Sequence, residues 1–87
     1  MQIFVVVRLK STFEEWKALF DQDSKSRAAF CDENQTLVGK VNDHKATVAL
    51  FDVDMEEMGK HLNNPEFQEM IEPYVEGHDV YTMEPLG

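Results

Sequence analysis

Two stretches of this chain present apolar side chains to both faces of an extended backbone, and this limits the architecture more than any other feature. Residues 2–9, Gln-Ile-Phe-Val-Val-Val-Arg-Leu, are rich in β-branched and aromatic side chains that suit a pleated surface. Side chains alternate along a strand, so Ile3, Val5, Val7 and Leu9 point one way and Phe4 and Val6 the other. Residues 45–53 repeat the pattern, with Ala46, Val48 and Leu50 on one face and Ala49, Phe51 and Val53 on the other. A strand apolar on both sides belongs in the middle of a sheet. Both stretches are therefore expected to be central.

The remaining elements follow from caps and spacing. Ser11 and Thr12 each precede a glutamate by three positions, Glu14 and Glu15, which predicts two overlapping capping boxes at the start of a helix over 12–22. Phe13, Trp16 and Phe20 give that helix an apolar stripe. A further helical turn is expected at 27–31. Residues 36–41 form a second strand, joined to the 45–53 strand by the polar turn Asn42-Asp43-His44. Asp54 caps the next helix, with Glu57 as its reciprocal partner. Asn63-Asn64-Pro65 ends that helix and starts another, Pro65 fitting a first helical position. Phe67, Met70, Ile71 and Tyr74 make the inward stripe of this last helix, and Gly77 is expected to close it before a fourth strand over 79–84.

The order βα(α)ββα(α)β, two similar halves in tandem, is the split βαβ or ferredoxin-like plan, an α+β fold. Its strand order 4-1-3-2 puts strands one and three in the middle, the two already assigned there from their apolar faces. Residues 1–87 make one domain. Helices cover one face of such a sheet, so the other is left apolar and bare. A domain this small balances about 1.5 kcal/mol of ordering entropy per residue against its buried area with little to spare, and a second copy packed sheet to sheet would supply more burial.

Charge narrows the partners. Residues 1–45 hold seven acids and seven bases, and residues 46–87 hold ten acids and one base, Lys60, for a net charge of −9. Such a surface repels phosphate backbones and anionic headgroups, so neither nucleic acid nor membrane is an expected partner. The acidic helical face carrying Glu66, Glu69 and Glu72 reads as a solvated surface or as a docking face for a protein partner. Cys31 is the only cysteine, which excludes an intrachain disulfide and fits a reducing cytoplasm. The apolar run at 3–7 is too short for a signal-peptide core or a membrane span.

No motif specifies a reaction. His44 lies in the hairpin turn, His61 near a helix end, and His78 next to Asp79 where a carboxylate could orient it for base work. No two histidines share a helix at a spacing of four, and no cofactor or metal is expected. Phe51-Asp-Val-Asp54 matches the aspartate pair of haloacid-dehalogenase-type phosphatases, but the chain is too short for that fold and Asp54 is used as a cap. The acids at Asp52, Asp54, Glu56 and Glu57 lack the glycine and spacing of a calcium loop. Arg8 follows Phe4 and Val6 on one face and could set a positive charge at the end of an apolar pocket, or pair with an acid at its rim. A candidate pocket between helices and sheet comprises Arg8, Trp16, His61, Tyr74, His78 and Tyr81, although aromatic residues at these spacings also serve as plain core.

With its element order and the stretch His61-Leu-Asn-Asn-Pro-Glu-Phe-Gln-Glu-Met70, a broken second helix restarting at proline, the chain resembles the dimeric α/β-barrel superfamily. The resemblance implies two ferredoxin-like protomers packed sheet to sheet, and is greatest to short uncharacterised bacterial members. The superfamily also contains antibiotic-biosynthesis monooxygenases, haem-degrading enzymes and lactone isomerases, so function does not follow from fold. The haem-degrading pattern needs an asparagine on the first strand and a tryptophan on the third, and neither is present here. Three readings therefore stand: a homodimer binding a small apolar or aromatic molecule, a cofactor-independent monooxygenase or isomerase, and an interaction module.

Overall fold

The computed structural model describes residues 1–84. Its elements are β1 (Gln2–Leu9), α1 (Phe13–Gln22), α2 (Ser24–Arg27), a 3-10 turn (Glu33–Gln35), β2 (Leu37–Asn42), β3 (Lys45–Leu50), α3 (Met55–Leu62), α4 (Pro65–Ile71) and β4 (Val75–Met83). The four strands form one antiparallel sheet in the order β2-β3-β1-β4, which is the ferredoxin-like arrangement with β1 and β3 central.

Local chemistry explains the boundaries. Thr12 caps α1 by accepting from the Glu15 amide at 3.3 Å, and its hydroxyl donates to the Glu15 carboxylate at 3.0 Å. Neither expected box closes fully, since the Glu15 carboxylate takes the Thr12 hydroxyl rather than its amide, the Ser11 hydroxyl turns to the Thr12 carbonyl, and Glu14 pairs with Lys40 on β2 at 3.0 Å. The expected helical turn at 27–31 lies earlier, at Ser24–Arg27. β3 stops at Leu50 rather than at residue 53, since Asp52 adopts φ 53°, a left-handed conformation that breaks a strand and that Asp tolerates better than most residues. Asp54 caps α3 through the amides of Glu56 and Glu57, while the Glu57 carboxylate goes to Lys60 instead of back to the cap. Asn64 caps α4 at the Glu66 amide, with Pro65 opening the helix.

β4 begins four residues before the expected start. A register shift between Arg8 and Leu9 lets Val75 pair with Leu9, and Gly77 falls inside the strand opposite Arg8. There the Arg8 guanidinium lies over the glycine: a Cβ at Gly77 would lie 2.5 Å from one of its nitrogens, so a side chain at this position would displace it.

The register arranges side chains in rungs. On the face beneath the helices, Val38, Val48, Val5 and Val80 form one rung and Lys40, Ala46, Val7 and His78 the next. On the opposite face Leu37, Ala49, Phe4 and Tyr81 cross all four strands in one apolar row, followed by Gly39, Thr47, Val6 and Asp79. The core lies between sheet and helices, where Ile3, Val5, Val7, Ala46, Val48 and Leu50 meet Trp16, Phe30 and Met58. Leu37 at 63% exposure and Tyr81 at 56% stand uncovered on the other side. Among the described residues no helix is long and apolar enough to cross a membrane.

Candidate functional site

The helices do not fill the space above the sheet. A cavity of about 80 Å³ remains between α1, α3, α4 and the helix-facing rungs of β1, β3 and β4. Its floor is valine, from Val5, Val7, Val48 and Val80, and its walls include the rings of Trp16, Phe20, Phe30 and Phe67. The wall residues occur where amphipathic stripes turn inward: Trp16 and Phe20 are four apart on α1, with ring centroids 5.0 Å apart.

Four titratable groups, Asp23, Arg27, His61 and His78, break the apolar lining. His61, in the last turn of α3, places Nε2 3.3 Å from an Asp23 carboxylate oxygen, with both side chains largely buried. The imidazole lies between Phe30, at 5.2 Å between ring centroids, and Phe67, at 4.2 Å. His78 enters from β4. Burial holds its pKa below the ordinary histidine value, the Arg8 charge lowers it further, and Asp79 opposes part of the shift. His78 is therefore a neutral imidazole at neutral pH.

Arg27 also reaches the lining and is the one buried charged residue among those described. It donates to both Glu33 carboxylate oxygens, at 3.0 and 2.7 Å, and to the Phe20 carbonyl at 2.6 Å, and its guanidinium carbon lies 3.5 Å from the Phe20 ring centroid. This bidentate arrangement satisfies the charge and fixes the turn that carries Asp23 and Phe30.

Of the six expected pocket residues, the cavity collects Trp16, His61 and His78. Arg8 and Tyr81 stand on the opposite face of the sheet. Arg8 there pairs with Asp79 at 3.4 Å, the rim pairing weighed from sequence, and Tyr81 extends the apolar row. The single pocket expected from sequence thus divides between two faces, because Arg8 lies one residue out of phase with Val7, and Tyr81 three residues from His78. Tyr74 packs against the core without lining the cavity, and its carbonyl accepts from the Lys10 amide at 2.9 Å. Asp23 and Phe67 also line the cavity and are not among the residues the sequence points to for it. Asp23 sat in a polar stretch with no signal linking it to His61, whereas the aromatic residues were visible in their helical spacing.

The other singled-out residues have structural uses. His44 is tethered, its Nδ1 lying 3.0 Å from the Ser11 carbonyl oxygen and its own carbonyl accepting from the Leu9 amide at 2.8 Å. Cys31 is buried, and burial pushes its thiol pKa up, so it is not activated as a nucleophile. On the acidic helical face Glu72 is paired with Lys10 at 2.8 Å, and Glu66 and Glu69 are exposed.

No protein-family model and no curated protein matches this chain. Solved structures do. The crystal structure of PA3566 from Pseudomonas aeruginosa superimposes with a TM-score of 0.60 at 16% identity, over 99% of this chain and 93% of that one. A dabb family protein with a ferredoxin-like fold (mll5499) from Mesorhizobium loti superimposes with a TM-score of 0.56 at 18% identity, over 99% and 97% of the two chains. Both likenesses extend over almost the whole chain and are likenesses of fold, which is ferredoxin-like.

Proposed function

We propose that this protein binds a small apolar or aromatic molecule in the cavity between helices and sheet, and works as a cytoplasmic homodimer whose bare sheet face is covered by a second copy. The observation that carries the binding reading is the cavity itself: a valine floor and aromatic walls with imidazoles at two points, the lining of a small-molecule site. Dimerisation is supported by the apolar row Leu37, Ala49, Phe4 and Tyr81, which a lone subunit leaves in water.

A specific feature favours an enzyme as the second reading. His61 Nε2 lies 3.3 Å from an Asp23 carboxylate oxygen inside a mostly apolar space, and an imidazole beside a carboxylate there suits the general base of a cofactor-independent oxygenase or isomerase.

Trp16 is the only tryptophan and lines the cavity, so its fluorescence reports occupancy. Titration with toluene is expected to give a saturable change that Val48→Phe, which fills the floor, removes. A change that is absent, or that persists in Val48→Phe, would contradict the binding reading.

A further inference from the structure

Resting on the homodimer reading, we propose that reciprocal ion pairs, Asp79 of each subunit with the partner's Lys45, fix the alignment of the two sheets.

Strand register assigns the charges of the bare face. At its paired positions the charged residues are Arg8 on β1, Lys45 on β3 and Asp79 on β4. Arg8 and Lys45 are direct cross-strand partners, and like charges directly opposite each other destabilise a sheet. In a chain of 17 acids and 8 bases, two of the few cations thus stand where they repel each other.

One carboxylate serves this pair, and unequally. Asp79 lies 3.4 Å from Arg8 Nε, longer than an ordinary charge-assisted hydrogen bond, and the two side chains remain 44% and 46% exposed. Gly77 lets the guanidinium lie down along β4, which leaves the outer side of Asp79 to solvent. Lys45 is exposed and pairs with no acid among the described residues. The face therefore holds a cation without a partner and a carboxylate with accepting capacity to spare, on the two strands that flank β1.

A second copy brings the two together. A twofold axis along β1 lays β4 of each subunit over β3 of the other, and rotation about it keeps residues at the same level along the strands. Tyr81, the largest side chain of the apolar row, then meets the partner's Ala49, the smallest, and Asp79 meets the partner's Thr47, one rung from the partner's Lys45. Packed sheets lie about 10 Å apart, a gap that the long lysine stem bridges. The neighbouring alignment, with β1 of each copy over β3 of the other, sets Arg8 against the partner's Lys45, like charge on like. The cross-strand cations that cost a lone subunit something thus reject that alignment, while the carboxylate rewards the first.

Charge exchange between subunits tests the pair, read by native mass spectrometry with one chain isotope-labelled so that the three possible dimers differ in mass. Lys45→Glu and Asp79→Lys each bring like charges together twice and are expected to weaken self-association at least about a hundredfold relative to the wild type. Mixed in equal amounts, the two variants restore both pairs between unlike chains, so more than about nine-tenths of the dimers should be mixed, against about half for random pairing. Both substitutions in one chain should return association to within about threefold of the wild type, which also shows that the fold accepts them. A contact inside one subunit is not restored by mixing. A random share of mixed dimers, single variants that associate like the wild type, or a doubly substituted chain that stays monomeric would overturn the pair and leave the homodimer reading standing. A monomeric wild type would overturn the homodimer reading and the pair with it.

Discussion

The two faces of the sheet are built from alternate residues of the same strands, yet they meet different surroundings. On β1, Ile3, Val5 and Val7 are sealed beneath the helices, while Phe4 and Val6 are half-buried and look outward. The arginines follow the same division. Arg27, on the helix side, is buried with its guanidinium fully engaged, whereas Arg8, on the bare side, is half-exposed in a long ion pair with Asp79. One face has closed upon itself except for a cavity of about 80 Å³. The other has an apolar row with no layer of its own to cover it. Burial energy is roughly proportional to apolar area removed from water, so the bare row is where association would gain most.

The largest expected effect comes from charging the bare face. Val6→Glu places a carboxylate in the middle of the proposed subunit contact and should weaken self-association at least a thousandfold, about 4 kcal/mol, in sedimentation equilibrium. The subunit fold should survive, because Val6 is not part of the buried core. A variant that remained dimeric would move the interface elsewhere.

Next comes the contrast between the arginines, measured by urea denaturation in the Val6→Glu background so that only the single subunit is read. Arg27→Leu leaves Glu33 without its partner and should cost about 3 kcal/mol. Arg8→Leu removes an exposed pair and should change stability by less than about 0.5 kcal/mol. Equal effects would dissolve the distinction drawn between the faces.

A smaller effect concerns His78. Its folded-state pKa is depressed by burial, so the folded protein binds this proton less readily than the unfolded chain. The contribution is fully favourable above the ordinary histidine value of about 6.5 and is lost as pH falls through that value toward the folded pKa. Urea midpoints of the wild type should therefore fall more steeply than those of His78→Phe as pH drops from about 7 toward 5. Parallel curves would place His78 in water.

Much of this architecture was legible because period-two alternation is a local property. The double-faced apolar pattern of 2–9 and 45–53 marked the central strands, and the caps at Thr12, Asp54 and Asn64 marked helix starts. Less legible was what depends on register. Gly77 looked like a helix terminator and instead accommodates Arg8, a contact set by a shift in pairing on β1. The division of the pocket was recoverable, since His78 and Tyr81 are an odd number of residues apart on one strand and cannot share a face. The His61–Asp23 pair was not recoverable: it joins the end of α3 to the end of α1, and local periodicity carries no information about which helix ends meet.

The account as a whole is tested most directly by methyl-resolved NMR during titration of the protein with toluene. It predicts saturable ring-current shifts at Val5, Val7 and Val48, on the covered face, with Val6 and Leu37 on the bare face unmoved. Shifts confined to Val6 and Leu37, or no saturable shift at Val5, Val7 and Val48, would contradict it.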